Sequence, residues 1–243
     1  MLTLEDLILF IDGEAIVIDK PAGLAVDAPR AGGDSIEWRI GQLTLGFARP
    51  PVAMHRLDRD TSGCLLFARN HKSRAAFQQA FEGGTVRKAY VAVVDGILDA
   101  DEGIIDLPVA KVSSAASGWR MVVDDAGKPA VTHWRRIAEV EGETMVEFRP
   151  QTGRTHQIRV HAARGLGAAI VGDPVYSRPD DHDGPLMVLP DCGMLLHASR
   201  LAVPREKKDW IDVAAPLPER FGRWLDLYNG QDFRDGQVFH DGK

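Results

Sequence analysis

The chain has 243 residues, 44% hydrophobic and 26% charged, which suffices for one large domain or two small ones with a buried core. No apolar run approaches the roughly 18 residues a membrane helix requires, and Met1-Leu2-Thr3-Leu4-Glu5-Asp6 lacks the basic-then-apolar layout of a secretion signal, so a cytoplasmic protein is expected. The net charge of -6 weighs against a general polyanion binder unless the basic residues are clustered, because local field decides where a polyanion docks. The two cysteines, Cys64 and Cys192, have no metal-like or redox-like spacing and read as small core fillers in a reducing compartment.

In chain order, Leu7 to Asp12 and Ala15 to Asp19, parted by Gly13-Glu14, predict a strand hairpin leading into a Pro-Gly loop. Residues 27–50, rich in Gly, Pro and Arg, predict a loop with one short helix. Cys64-Leu65-Leu66-Phe67-Ala68 predicts a buried strand. Asn70 or Ser73 then caps a helix whose Ala76, Phe77, Ala80 and Phe81 share a face, ended by Gly83-Gly84. Lys88 to Asp95, β-branched and aromatic, predicts a central strand. Further strands are expected at 104–111, 119–124, 130–139 and 143–149, with Glu141-Gly142 turning between the last two. Thr155 is expected to cap a helix through Ala163, stopped by Gly165, on which Ile158 and Ala162 form an apolar i, i+4 pair. Gly63, Gly153 and Gly172 are expected at turns. Many strands and few helices give an α+β fold around a large, mixed, mostly antiparallel sheet.

The densest polar cluster is His55-Arg56-Leu57-Asp58-Arg59-Asp60-Thr61-Ser62-Gly63. Its order resembles the active-site signature of the pseudouridine synthases that act on large-subunit ribosomal RNA and tRNA. Ile18-Asp19-Lys20-Pro21-Ala22-Gly23-Leu24, Arg87-Lys88-Ala89-Tyr90, Thr152-Gly153-Arg154-Thr155-His156-Gln157-Ile158-Arg159-Val160-His161, Gly172-Asp173-Pro174-Val175-Tyr176 and Leu196-His197-Ala198 resemble further landmarks of that family, in the family's order. An ordered series is far more specific than a lone motif. The resemblance implies a pseudouridine synthase fold with its catalytic cleft across the sheet. It also implies one catalytic domain over 1–228, followed by a polar, weakly ordered tail at 229–243. Because the resemblance begins almost at the N-terminus, no separate RNA-binding domain ahead of it is expected.

The implied reaction breaks the bond between uracil N1 and ribose C1′, turns the base and rejoins it through C5. It is an isomerisation that needs no cofactor, and the chain has no Gly-x-Gly-x-x-Gly, no phosphate loop and no clustered metal ligands. Asp58 matches the family's catalytic aspartate, to act on C1′, on the C2′ proton or on C6 of the base. A carboxylate kept ionised where water is excluded needs a fixed cation, and an adjacent Arg lowers a carboxylate pKa by ~1–3 units. Arg159, the basic residue of the later motif, is the candidate. Tyr90 matches the family's active-site tyrosine, whose ring is expected to stack on the extruded uracil and whose phenol is expected to assist the later removal of the C5 proton. Arg56, Arg154, His156 and Lys88 are the candidate RNA contacts, helped by backbone amides at the start of the Thr155 helix.

The basic residues Arg56, Arg59, Arg69, Lys72, Arg74, Arg87, Lys88, Arg154, Arg159 and Arg164 lie in or beside the motifs, whereas acids collect at 95–106, 139–147 and 180–191. The histidines His55, His156, His161 and His197 offer no familiar zinc spacing, so structural hydrogen bonds are their expected use and no metal is expected. Lys20-Pro21 reads as a structural loop near the cleft. The rival reading from another class is a catalytically silent RNA-binding or RNA-chaperone protein on the same fold, against which Asp58, Arg159 and Tyr90 all count. A metal-dependent hydrolase built on the histidines is the more distant rival.

Overall fold

The computed structural model describes residues 3–29, 32–114, 118–177 and 192–228. The expected tail at 229–243 and the acids at 180–191 lie outside the described residues.

Strands β1 (Ile8–Ile11) and β2 (Ala15–Lys20) form the predicted hairpin. Asp12 closes its turn by accepting from the amides of Glu14 and Ala15 at 2.7 and 2.9 Å. The 27–50 segment contains α1 (Ile36–Arg39), capped by Ser35 and prolonged by a 3-10 turn at Ile40–Leu43. After β3 (Val52–Ala53) and the wholly buried β4 (Ser62–Ala68) comes α2 (His71–Glu82). Both proposed caps of α2 act together: Asn70 accepts from the Ser73 amide, and the Ser73 hydroxyl reaches back to the Asn70 amide. Then follow β5 (Arg87–Asp95), β6 (Glu102–Asp106), β7 (Val109–Ser114), β8 (Gly118–Val123), β9 (Val131–Val140), β10 (Glu143–Pro150), α3 (Gln157–Val160), β11 (Leu196–Val203) and β12 (Ile211–Ala214). Glu141 and Gly142 both adopt positive φ, 53° and 84°, as a two-residue hairpin turn between β9 and β10 demands.

The strands run in the order β1-β2-β4-β11-β5-β10-β9-β6, with β12 added to β11 and β3 to β4. Among the described residues every neighbouring pair of this sheet is antiparallel except β11 with β4, so the sheet is mixed and mostly antiparallel, as the sequence predicts. Along central β5 the side chains alternate between two cores. Ala92 and Val94, with Tyr90 packed against them, meet Ile158 and Ala162 on one face. Val91 and Val93 meet Phe221 and Trp224 of a C-terminal 3-10 segment, Glu219–Trp224, on the other.

Three expectations are corrected. The single strand foreseen over 104–111 is two, because Leu107-Pro108 carries the chain out of the large sheet. Pro108 has no N–H to continue a ladder, and β7 pairs instead with β8 in a separate two-stranded sheet. The helix expected from Thr155 begins at Gln157; His156 precedes it in the left-handed region, φ 53°, with no side-chain cap, and the following turn, His161–Gly165, widens to a π-helix. Gly63 lies inside β4 rather than in a turn. Its φ is 108°, and a Cβ there would stand 2.3 Å from the Ala198 carbonyl oxygen, so it permits the parallel contact of β4 with β11.

Candidate active site

A cleft of about 960 Å³ crosses the sheet, and Asp58, Tyr90 and Arg159 all line it. Asp58 comes from the loop between β3 and β4, where its carbonyl accepts from the Thr61 amide at 3.1 Å. That loop is braced from below by Lys20, whose side chain is fully buried at the end of β2. The Lys20 Nζ donates to the carbonyls of Pro21, Leu24 and Arg59 at 2.8, 2.8 and 3.0 Å. Burial draws its pKa down to about 7, while three carbonyls match the three N–H groups of the ammonium. The structural reading of Lys20 is therefore the one its geometry supports.

Arg159 projects from α3, with Ile158 and Ala162 anchoring the segment in the core. One guanidinium nitrogen donates to Asp58 Oδ2 at 3.1 Å. The other two nitrogens form a fork on Asp173, 2.7 Å from Nε to Oδ2 and 2.8 Å from Nη2 to Oδ1. Asp173 in turn accepts from the amides of Val175 and Tyr176 at 2.8 and 3.0 Å. Burial disfavours both charges, but each offsets it for the other. Against burial, Asp173 first and Asp58 second hold the guanidinium protonated, and Arg159 with the two amides holds the Asp173 carboxyl below its ordinary range. The cation that faces Asp58 is thus fixed from behind by a second carboxylate.

Of the proposed RNA contacts, all four line the cleft. Arg56 is exposed at the rim and paired with Asp27 at 2.9 Å. Arg154 is exposed, with Nε donating to the Pro129 carbonyl at 3.0 Å. Lys88 is half-buried two residues from Tyr90 on β5, its Nζ 3.4 Å from the Thr152 carbonyl, and burial lowers its pKa. His156 stands deeper than a phosphate contact would. Its Nδ1 lies 2.8 Å from the Tyr176 hydroxyl and its Nε2 3.7 Å from Asp58 Oδ2, and burial followed by the charge of Arg159 depresses its pKa.

The helix start expected to help hold a phosphate lies at Gln157, two residues later than Thr155. With α3 opening at Gln157, the Gln157 amide donates to the Arg154 carbonyl at 3.1 Å and its side chain accepts from the Arg154 amide at 3.0 Å. Only half of the basic cluster reaches the cleft: Arg56, Arg59, Lys88, Arg154 and Arg159 line it, while Arg69 turns to the carbonyls of Asp12 and Leu45 and Arg87 stacks on Trp210. His55, His161 and His197 make the structural hydrogen bonds expected of them, to the Leu66 amide, to Thr132 and Leu107, and to Ser62.

Sequence reasoning missed Asp173, Tyr176 and Trp119 as site residues. Asp173 and Tyr176 lay within a recognised landmark string, which was their only signal; Trp119 carried none.

A loop aspartate thus meets a doubly held arginine in a cleft that a half-buried tyrosine also lines, on a mixed, mostly antiparallel sheet. The sequence pattern of the RNA pseudouridylate synthases matches residues 14–164, and the chain belongs to that family. It is an RNA pseudouridine synthase, an isomerase. It is 52% identical over 214 residues, 88% of this chain and 94% of the other, to an uncharacterized RNA pseudouridine synthase of Zymomonas mobilis. It is 34% identical over 223 residues, 87% and 69% of the two chains, to ribosomal large subunit pseudouridine synthase D of the same organism. Its fold is similar to that of human RNA pseudouridylate synthase domain containing 4, with a TM-score of 0.73, 25% identity and 92% of each chain covered. No helix among the described residues is long and apolar enough to cross a membrane.

Proposed function

We propose that the enzyme isomerises uridine in large-subunit ribosomal RNA, with tRNA the second target class, and that Asp58 carries the first step on the target nucleotide. The observation that carries this reading is the Asp58 carboxylate in the cleft, 3.1 Å from a guanidinium that Asp173 locks in place. Cleavage of N1–C1′ and formation of C5–C1′ leave N1 one proton richer and C5 one proton poorer, with no net change in oxidation state. Arg159 donates to the Asp58 carboxylate and orients it toward the cleft in which the target nucleotide is held. Tyr90 offers its ring to the flipped uracil. Burial, then the charge of Asp58, holds its phenol well above the ordinary range, so at neutral pH it serves as a surface and a hydrogen-bond donor rather than as a phenolate base.

Arg56 and Arg154 at the rim supply phosphate contacts, and Lys88 and His156 line the path of the target nucleotide. The similarity to a synthase named for the large ribosomal subunit supports rRNA as the first target class. Incubating unmodified large-subunit rRNA and tRNA transcripts with the protein and mapping pseudouridine by carbodiimide primer-stop tests this reading. Discrete new stops in the rRNA support it, stops in tRNA alone move the target class, and stops in neither overturn it.

A further inference from the structure

The hairpin of β7 and β8 stands apart from the large sheet and reaches over one wall of the cleft. Its register pairs Ser113 with Trp119 and Lys111 with Met121, which places Trp119, Met121 and Lys111 on one face. Met121 is buried, and its amide donates to the Tyr176 hydroxyl at 3.0 Å, so this face is anchored beside α3. The indole of Trp119 is stacked on the imidazole of His156, centroids 5.0 Å apart and planes 29° from parallel. Lys111 Nζ lies 4.8 Å from the indole centroid. Despite these contacts Trp119 remains 47% exposed, at the lip of the cleft that holds Asp58.

We propose that Trp119 is a stacking platform for an unpaired nucleobase of the substrate RNA adjacent to the target uridine, with Lys111 meeting the phosphate beside that base. The inference rests on the proposed use of the Asp58 cleft for uridine isomerisation. A base extruded into the cleft leaves its neighbour without a stacking partner, and an aromatic plane already fixed at the lip replaces the lost stack at little ordering cost. The platform is sequence-tolerant, because every base has a π-face, so it selects for an unpaired strand rather than for a particular letter. The stack on His156 gives the platform its rigidity and couples it to the cleft, since the His156 Nε2 is 3.7 Å from Asp58 Oδ2. Lys111 Nζ lies over the indole ring, and as a base takes its place on that ring the ammonium moves to the adjoining phosphate, supplying the charge that an RNA strand crossing the hairpin requires.

The test uses large-subunit rRNA and tRNA transcripts carrying 5-tritiated uridine, with wild type, Trp119→Ala and Trp119→Phe compared in single-turnover tritium release over a range of RNA concentration. The expected result is that Trp119→Ala raises the RNA concentration for half-maximal rate roughly tenfold or more, a range set by base–aromatic stacking, with a smaller loss in the saturated rate. Trp119→Phe recovers most of the affinity. Wild-type tryptophan emission is quenched on titration with the same transcript, and that quench shrinks in Trp119→Phe. An unchanged half-maximal concentration in a Trp119→Ala protein that releases tritium overturns the platform and leaves the isomerase reading intact. A loss confined to the saturated rate also overturns it, because Trp119 would then act only by holding His156. Absence of release in wild type on either pool is instead a failure of the underlying reading.

Discussion

Replacing Asp173 by Asn tests how the site holds its cation. The change preserves shape and leaves Oδ1 to accept from the Val175 and Tyr176 amides. It also removes the charge and sets an N–H group against Arg159 Nε, where the carboxylate oxygen now accepts at 2.7 Å. Arg159 is 6% exposed and Asp173 1%, so water cannot replace the lost partner. Breaking a buried ion pair by removing one member costs about 3–5 kcal/mol. Against a mid-range total of about 10 kcal/mol the variant remains folded at 25 °C, with Tm lowered by roughly 6–20 °C. Urea titration followed by tryptophan fluorescence measures the loss. A cycle with Arg159→Met isolates the pair: each single change strands a buried charge, whereas the double change removes both, and the two costs should fall short of additivity by about 2 kcal/mol or more. Additive costs within about 0.5 kcal/mol would refute the argument that Asp173 and Arg159 act as one unit.

Lys20→Met leaves the Pro21, Leu24 and Arg59 carbonyls without their donor, each such loss costing about 1–3 kcal/mol when buried, partly offset by no longer burying an ammonium. Stability should fall by roughly 2 kcal/mol and tritium release by more than tenfold as the Asp58 loop loosens; full activity in the folded variant would place the brace elsewhere. His197 is fully buried beside Ser62, and burial depresses its pKa to about 4. Because the folded pKa lies below the unfolded value of about 6.5, this group's contribution is fully present above pH 6.5 and is lost as pH falls toward 4, by roughly 3 kcal/mol. Urea midpoints at pH 7, 5.5 and 4.5 should therefore decline more steeply in wild type than in His197→Gln, and parallel slopes would contradict the assignment.

The elements legible in the sequence were those whose cause is local. The turn at Asp12 to Ala15, the Asn70 cap with its glycine stop and the β-branched run of β5 each carry their own signal. Strand β11 carries no strand signal, because Leu-His-Ala-Ser-Arg-Leu-Ala-Val shows no two-residue alternation. It is buried on both faces, and its polar side chains are satisfied by distant partners, His197 by Ser62 and Ser199 by the Ala89 carbonyl. The start of α3 was misplaced for a similar reason. Thr155 is a good cap by type, yet Gln157 decides the boundary by bonding to Thr152, to the Val131 carbonyl and to Thr132, contacts that depend on β9 being in place. The meeting of Asp58 with Arg159 spans 101 residues and is legible only through the family resemblance, whereas the fork from Arg159 to Asp173 depends on loop geometry that no local pattern encodes.

We assign the chemistry to Asp58 and the RNA grip to other residues of the cleft. Tritium release from RNA carrying 5-tritiated uridine by wild type and Asp58→Asn, with filter binding of the same RNA and urea stability measured on both, separates the two roles. Asp58→Asn is expected to fold, to retain RNA affinity within a few-fold and to release no tritium above background. Turnover by the folded variant at a rate near that of wild type would contradict the assignment.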